Sequence, residues 1–308
     1  MTIEEIANQL EKKHLIRNDG KYRAARKLHC SVEEIKQACE LLKQRNKQAK
    51  IPKILIFDVE TAPMRAYVWG RWKQNIALNQ TISEWFMLCW SAKWLYSEEI
   101  ISDKLTGEEA KEEFDYRIVK NLWELINQAD IVIAYNGKRA DIPWMNTRFI
   151  QNNLTPPSPY LVIDPCEVAK KEFGFSSNKL DALAGYFDIP HKLETDFSLW
   201  DRAVKGDEEA IGYMSTYCNM DVKILEEVYI KMRPWIKGHP NIGNLLSSNS
   251  CVCSHCGSKN LELISDKFYF TSIGKYNLYR CKDCGGITRG RTNLHTKTVK
   301  VLMVPNYH

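Results

Sequence analysis

The chain has 308 residues and a mass of 35.8 kDa; 44% of its residues are hydrophobic, 26% are charged, and its formal net charge is +5. These values are ordinary for a soluble globular protein with one sizeable core and smaller modules beside it. The amino-terminal residues lack the basic and then apolar order of a signal peptide, and no apolar run approaches membrane-spanning length. We therefore expect a cytoplasmic or nucleoid-associated protein without a membrane partner.

The charge is unevenly distributed along the chain. Residues 1–50 carry 12 Lys and Arg against 7 Asp and Glu, residues 51–237 carry 22 against 28, and residues 238–308 carry 9 against 3. Basic ends favour contact with a polyanion, and an acidic centre favours metal binding. Together with the motifs below, this pattern predicts three domains with the same boundaries.

Residues 1–50 are predicted to form helices joined by short connections. Thr2 with Glu5, and Ser31 with Glu34, fit the capping box that begins a helix. The segment 24–35 resembles a helix-turn-helix, in which the helix that starts at Ser31 would enter a major groove of DNA. Two adjacent glutamates stand where base contacts would begin, so a small helical domain that packs on a partner stays open.

Residues 51–237 are predicted to mix strands with helices. Short apolar runs rich in branched or aromatic residues predict strands at residues 53–61, 85–94, 99–105, 130–135 and 161–163. Apolar residues at helical spacing predict helices at residues 115–128 and 143–152, followed by a mainly helical stretch to residue 235. This order indicates an α/β fold with a mixed sheet and flanking helices.

The first predicted strand ends in two acidic residues, Asp58 and Glu60. Because side chains alternate along a strand, both carboxylates project to the same side as Ile54 and Ile56. Burial and mutual repulsion would destabilise both charges, and a divalent cation such as Mg²⁺ or Mn²⁺ would compensate for them. Two acids at a solvated strand end need no metal, and this common pair taken alone favours that interpretation.

Two later segments carry further candidate residues. Asn136 and Asp141 follow the fourth predicted strand, and Asp141 stands where a loop enters a helix. Tyr217 and Asp221 are four residues apart, so they share one face of a helix. Taken singly, these residues are also consistent with a helix cap, a core tyrosine and a surface acid.

In chain order, the three motifs resemble those of the DEDD superfamily of 3′–5′ exonucleases. Tyr217 is typical of the tyrosine subclass. The resemblance is closest to the proofreading domains of family-B DNA polymerases and to the stand-alone bacterial and phage proteins similar to them. It covers residues 51 to about 235 and includes a helix at residues 178–190. Ala140 departs from the pattern, because polymerase domains usually carry Phe there, and this difference affects how the terminal base is placed.

The resemblance implies an RNase H-like fold and hydrolysis of phosphodiester bonds by a two-metal mechanism. Tyr217 would orient the attacking water, and Asn136 would help to bind the substrate. The implied ligands of two catalytic Mg²⁺ or Mn²⁺ ions are Asp58, Glu60, Asp141 and Asp221.

Residues 238–308 contain two Cys-x₂-Cys motifs with glycine after each second cysteine, and short predicted strands at residues 261–264, 268–270 and 276–280. This pattern resembles a zinc ribbon with one structural Zn²⁺, whose ligands would be Cys253, Cys256, Cys281 and Cys284. Cys251 and His255 are spare and leave an alternative ligand set open. The basic tail from Arg289 to Lys300 favours DNA contact, and a zinc-stabilised scaffold that binds protein is the alternative.

The sequence therefore predicts a metal-dependent 3′–5′ exonuclease acting on DNA, either on single strands or on the 3′ ends of a duplex. A polymerase or another replication or repair protein is a candidate partner. Three alternatives stay open: a ribonuclease of the same fold, a structure-selective endonuclease, and a DNA-binding module whose nuclease site is inactive.

Overall fold

The computed structural model describes residues 1–12, 24–47, 52–190, 193–246 and 250–295. Three segments with sequence signals lie outside these ranges: residues 18–20, where Asn-Asp-Gly indicates a turn, the end of residues 43–50, which indicate a helix end and linker, and residues 296–300 of the basic tail. The division into three domains stays a prediction.

Two capping boxes begin the amino-terminal helices α1 (Ile3–Lys12) and α2 (Val32–Lys47). The Thr2 hydroxyl accepts from the Glu5 N–H at 3.2 Å, and the Glu5 carboxylate accepts from the Thr2 N–H at 2.9 Å. Ser31 and Glu34 repeat this exchange at 3.1 and 2.7 Å. Residues 24–28 form a helical segment before the turn, which gives the predicted helix-turn order. Contact between α2 and DNA stays a prediction.

The central part of the chain forms a five-stranded mixed sheet in the order β5-β4-β1-β6-β7. Its central strand β1 pairs antiparallel with β4 and parallel with β6. The predicted strands are therefore present, although most are shorter than predicted. Their bounds are β1 (Ile54–Thr61), β4 (Met87–Trp94), β5 (Ile101–Lys104), β6 (Ile131–Ile133) and β7 (Leu161–Ile163).

A small two-stranded sheet between β1 and β4 was not predicted from the sequence. Its strands are β2 (Arg65–Ala66) and β3 (Thr81–Ser83). They pair antiparallel, and the residues between them contain the aromatic stretch from Trp69 to Trp72.

Helices cover both faces of the five-stranded sheet. Leu55, Phe57 and Val59 of β1 pack into one core, whereas Ile54 and Ile56 pack into a second. This alternation agrees with the side-chain pattern of a strand buried on both faces. The helices are α3 (Gly107–Lys111), α4 (Tyr116–Ile126), α5 (Asp141–Gln151), α6 (Pro165–Glu172), α7 (Leu180–Tyr186), α8 (Phe197–Val204), α9 (Glu208–Met232) and α10 (Ile242–Leu245).

A buried carboxylate fixes α5 against the sheet. Asp115, which is 1% exposed, accepts from the Met87 N–H at 2.9 Å and pairs with Arg148 of α5 at 2.6 Å. Because Met87 begins β4 and Arg148 lies two turns along α5, this network sets where the first residue of α5 meets the sheet. That first residue is Asp141.

The carboxy-terminal strands form a three-stranded antiparallel sheet in the order β10-β9-β8. They are β8 (Leu261–Thr271), β9 (Gly274–Cys281) and β10 (Ile287–Arg289). The two short strands predicted at residues 261–264 and 268–270 are one continuous strand. Its pairing with β9 is interrupted between Leu263 and Phe268, near Asp266, whose φ is +60°.

Candidate metal and nuclease site

The end of β1 presents Asp58 and Glu60 toward helix α9. Ile54 and Ile56 occupy the same face of the strand and pack against Val222 of α9 in one core cluster. The two acids continue this face to the end of the strand, where burial gives way to partial exposure. The predicted alternation is thus confirmed, and it directs both carboxylates to the helix that carries the third motif.

Helix α9 supplies Asp221 and Tyr217 from successive turns. Carboxylate oxygens of Asp58, Glu60 and Asp221 all lie within 4.8 Å of one another. The Tyr217 ring is 9% exposed and contacts the Trp200 ring edge-on, with ring centroids 6.5 Å apart. Residues that are more than 160 positions apart in sequence therefore form one acidic cluster.

Asp141 lies beside this cluster and is almost completely buried. It is 4% exposed, and its Oδ1 accepts from the Val59 N–H at 3.4 Å, between the two acids of β1. Burial raises the pKa of Asp141 to about 7, and the charges of Asp164 and Asp221 act in the same direction. Asp141 is not one of the three acids whose oxygens lie within 4.8 Å of one another, but it lines the same cleft.

The cleft has a volume of about 560 Å³ and is open to solvent along one side. All the predicted site residues of the central region line it: Asp58, Glu60, Asn136, Asp141, Tyr217 and Asp221. Asn136 has a φ of +57°, a left-handed conformation that asparagine tolerates, and its N–H donates to Asp164 at 2.9 Å. The roles of these residues in catalysis and substrate binding stay predictions.

Asp164 was missed from the sequence. It is 3% exposed and accepts from the N–H groups of Asn136, Lys138 and Cys166, so it joins the β6–α5 loop to the start of α6. The available signal was an acid directly after a strand and directly before a proline, which is typical of a helix N-cap.

Cys218 lies beside the acidic cluster, a position that the sequence analysis also missed. Its Sγ donates to the Asp58 carboxylate at 3.3 Å, and the residue is completely buried. Burial and the neighbouring acids raise the pKa of Cys218, so its thiol remains a donor.

On the exposed rim, Lys170 and Lys179 line the same cleft.

The donor atoms fit a hard divalent cation. The three clustered groups are all carboxylates, and oxygen ligands suit Mg²⁺ or Mn²⁺ better than Zn²⁺ or Cu²⁺. Three carboxylates this close repel one another, and Cys218 can hydrogen-bond to only one of them. A divalent cation bound by these oxygens would neutralise that repulsion.

A second candidate metal site lies in the carboxy-terminal sheet. The Sγ atoms of its cysteines all lie within 4.8 Å of one another; the residues are Cys253, Cys256, Cys281 and Cys284. Gly257 and Gly285 have φ values of +77° and +78°, so each Cys-x₂-Cys loop turns through a conformation that glycine adopts without strain. Four thiols in this arrangement fit a closed zinc site.

The two spare residues near this site have other surroundings. His255 is 7% exposed; its Nε2 lies 3.2 Å from the Ile236 carbonyl, and its Nδ1 lies 3.1 Å from the Ser254 hydroxyl. Cys251 is exposed and outside the cluster. The geometry therefore favours the four-cysteine ligand set over one that includes either residue.

Comparison with known proteins supports the fold. Residues 96–233 match the family model described as RNase H superfamily. This range includes Asp141, Tyr217 and Asp221 but begins after β1. The match and the five-stranded mixed sheet with flanking helices agree with the predicted fold class, and the chain has an RNase H-like fold.

Among solved structures, the chain is similar to a family B DNA polymerase from the hyperthermophilic archaeon Pyrobaculum calidifontis. The TM-score is 0.47 at 13% sequence identity, and the match covers 74% of this chain and 33% of the polymerase chain. The match thus spans about a third of the length of that polymerase chain. No curated protein matches the sequence. Within the described ranges, no helix has both the length and the apolar character needed to span a bilayer.

Proposed function

We propose that this chain is a divalent-metal-dependent nuclease that hydrolyses phosphodiester bonds of DNA from the 3′ end. The observation that carries the proposal is the meeting of Asp58, Glu60 and Asp221 in one cluster, with carboxylate oxygens within 4.8 Å of one another. The RNase H-like fold supports a nuclease. The 3′ polarity rests on the order of the three sequence motifs.

The four acidic residues of the cleft would bind the metal, and they differ in how deeply they are buried. Asp58, Glu60 and Asp221 would be direct ligands of Mg²⁺ or Mn²⁺, and Asp141 would join them when its proton leaves. A pair of bound cations supplies neutralisation of phosphate charge and a water of lowered pKa. The proton that Asp141 retains near neutral pH would be displaced as the cations bind, because a nearby positive charge lowers a carboxyl pKa.

Tyr217 would orient the attacking water. Its ring contacts the Trp200 ring edge-on, and Tyr217 lies one turn before Asp221. A phenol hydroxyl can both donate a hydrogen bond to a water and accept one from it, which suits this role. Cys218 would hold one Asp58 oxygen in place by its 3.3 Å hydrogen bond.

The rim of the cleft would bind the substrate backbone. Lys170 and Lys179 carry exposed ammonium groups at the cleft, and both are suited to phosphate contact. Asn136 would contact the substrate from the β6–α5 loop. We further propose that residues 1–50 and residues 238–308 form two separate domains that bind nucleic acid. One structural Zn²⁺ bound to the four cysteines would stabilise the second domain.

The test uses end-labelled single-stranded DNA, nicked duplex DNA and RNA of one sequence. Each is incubated with Mg²⁺ or Mn²⁺ and either the wild type or Asp58→Ala. A 5′-labelled DNA that shortens progressively from its 3′ end, with no shortening in the variant, is the expected result. Internal cuts would indicate an endonuclease, and preferential loss of RNA would indicate a ribonuclease. If the wild type retards DNA in a gel but degrades nothing, the chain is a binding module.

A further inference from the structure

Residues 62–83, here called the arm, form most of the connection from β1 to β4 and carry unusually exposed aromatic side chains. Trp69 is 98% exposed, Trp72 is 86% exposed and Tyr67 is 74% exposed. Burying an indole ring lowers the free energy, so a ring left in water is unfavourable. Exposed aromatic residues close together mark interaction sites. Two such tryptophans three positions apart therefore indicate a surface that becomes covered by something else.

The arm has its own hydrogen-bonded structure. The Tyr67 N–H donates to the Gln80 carbonyl at 2.9 Å, and the Gln80 side chain donates back to the Tyr67 carbonyl at 3.2 Å. At its root, Ser83 donates to Glu113 at 2.9 Å, and Arg65 forms an ion pair with the same carboxylate. Trp69 and Trp72 lie in the loop that this paired base closes, and a fixed base lowers the entropy lost when the loop binds a partner.

The charge of the arm selects the partner. Its sequence contains Arg65, Arg71 and Lys73 and no aspartate or glutamate, whereas residues 51–237 as a whole carry more acids than bases. Cations interleaved with aromatic rings suit a polyanion that also has planar faces. Single-stranded nucleic acid has both properties, because its phosphates are charged and its bases are free to stack.

The root of the arm adjoins the acidic cluster. The arm follows Glu60 and Thr61 directly, and Thr61 and Pro63 line a cavity of about 410 Å³ together with Phe197 and Trp200. Trp200 contacts the ring of Tyr217 in the neighbouring cleft. A strand whose end lies in the cleft would therefore pass Trp200 and Phe197 on its way to the root of the arm.

We infer that the arm binds single-stranded nucleic acid, stacking bases on Trp69 and Trp72 while Arg71 and Lys73 contact phosphates. This inference rests on the proposed function, since the bound strand is the part of the substrate outside the cleft. Stacking on indole faces tolerates any base, so the arm binds without sequence preference and takes both DNA and RNA. The acidic cluster then acts on the terminal phosphodiester, and the arm binds the strand behind it.

Binding is measured in an Asp58→Asn background, so that no substrate is consumed and the result stands even if the wild type cleaves nothing. The probes are fluorescently labelled oligothymidylate and oligouridylate, titrated with protein and followed by anisotropy. Trp69→Ala/Trp72→Ala should raise Kd about tenfold or more for both probes, and Trp69→Phe/Trp72→Phe should restore most of the affinity. Arg71→Ala/Lys73→Ala should lower the salt slope of log Kd by about one to two.

The matched control is Trp235→Ala, which removes a tryptophan that is 63% exposed, outside the arm and the cleft. It should leave Kd unchanged, and the melting temperature of each variant checks that it folds. An unchanged Kd in the Trp69→Ala/Trp72→Ala protein overturns the inference. So does a loss of self-association in that variant with nucleic-acid affinity intact, because the arm is then a contact between copies of the chain.

Discussion

The carboxylate of Asp141 accepts a hydrogen bond at 3.4 Å from the backbone N–H of Val59, a residue 82 positions away. Val59 lies between Asp58 and Glu60, so this contact holds the first turn of α5 against the acidic end of β1. Burial raises the pKa of Asp141 to about 7 and the charges of Asp164 and Asp221 act in the same direction, whereas the hydrogen bond from Val59 opposes the shift. A carboxyl group in this state couples metal binding to proton release.

The first prediction concerns the pH dependence of that coupling. Because the pKa of Asp141 is higher in the folded chain than its ordinary value of 3.8, the native state binds more protons between these values. Without added metal, Asp141 should therefore lower the free energy of unfolding as pH rises toward and through 7. Mg²⁺ should raise the melting temperature more at pH 8 than at pH 6.

Differential scanning fluorimetry of the wild type and Asp141→Asn at both pH values checks this prediction. The variant has no proton to release, so the pH dependence of its Mg²⁺ stabilisation should be weaker. A wild-type Mg²⁺ shift that is equal at pH 6 and pH 8 would show that Asp141 does not couple to the metal.

The second prediction separates the role of Tyr217 from that of the acids. Tyr217→Phe removes only a hydroxyl, so kcat should fall about tenfold to a hundredfold while the Mg²⁺ dependence stays unchanged. Tyr213→Phe is the matched control, because Tyr213 precedes Tyr217 by one turn and its hydroxyl bonds to the Glu194 carbonyl instead. Equal losses in the two variants would indicate a structural effect on α9.

The third prediction concerns a buried ion pair that ties α9 to the sheet. Lys93 of β4 and Glu226 of α9 are 7% and 8% exposed, and Glu226 also accepts from the Tyr96 N–H at 2.7 Å. Glu226→Ala leaves a buried ammonium without its partner and should lower the free energy of unfolding by about 3–5 kcal/mol.

Urea denaturation measures this change. Glu124→Ala, which breaks an exposed pair with Lys120, should change the free energy of unfolding by less than about 1 kcal/mol. Similar values for the two variants would mean that Lys93 reaches solvent when Glu226 is removed.

The sequence predicted which of these side chains lie together better than it predicted their surroundings. The alternation of β1 and the spacing on α9 followed from local periodicity, and they were enough to direct Asp58 and Asp221 toward each other. The burial of Asp141 was not predictable, because it depends on Asp115 and Arg148 fixing α5 against β4. That network joins three separate segments and has no local signature.

The missed strands have a different cause. The strands β2 and β3 contain two and three residues, too few for a period to be recognised, and their pairing leaves the neighbouring aromatic residues exposed. In β8, the pairing with β9 is interrupted near Asp266, whose φ is positive. The sequence indicated two strands at this point, where there is one. Capping boxes at Thr2 and Ser31 were confirmed because their interactions span only three residues.

The fourth prediction concerns the four-cysteine cluster. Cys281→Ser should lower the zinc content from about one ion per chain toward none and should unfold the carboxy-terminal sheet, because structural zinc contributes directly to folding. Cys251→Ser is the matched control, since Cys251 is exposed and lies outside the cluster. Metal analysis and limited proteolysis measure both effects. Full zinc content in Cys281→Ser would exclude this cluster as the zinc site.

The central claim is that the acidic cluster performs metal-dependent hydrolysis. Its most direct test is the single-turnover rate at which 5′-labelled single-stranded DNA is shortened across a Mg²⁺ titration, for the wild type, Asp221→Asn and Asp201→Asn. Asp201 is a surface acid that pairs with Lys205, outside the cleft. We predict that Asp221→Asn lowers the rate by about 10²-fold or more and that Asp201→Asn leaves it unchanged. Mg²⁺-dependent shortening at the wild-type rate in Asp221→Asn would contradict the account.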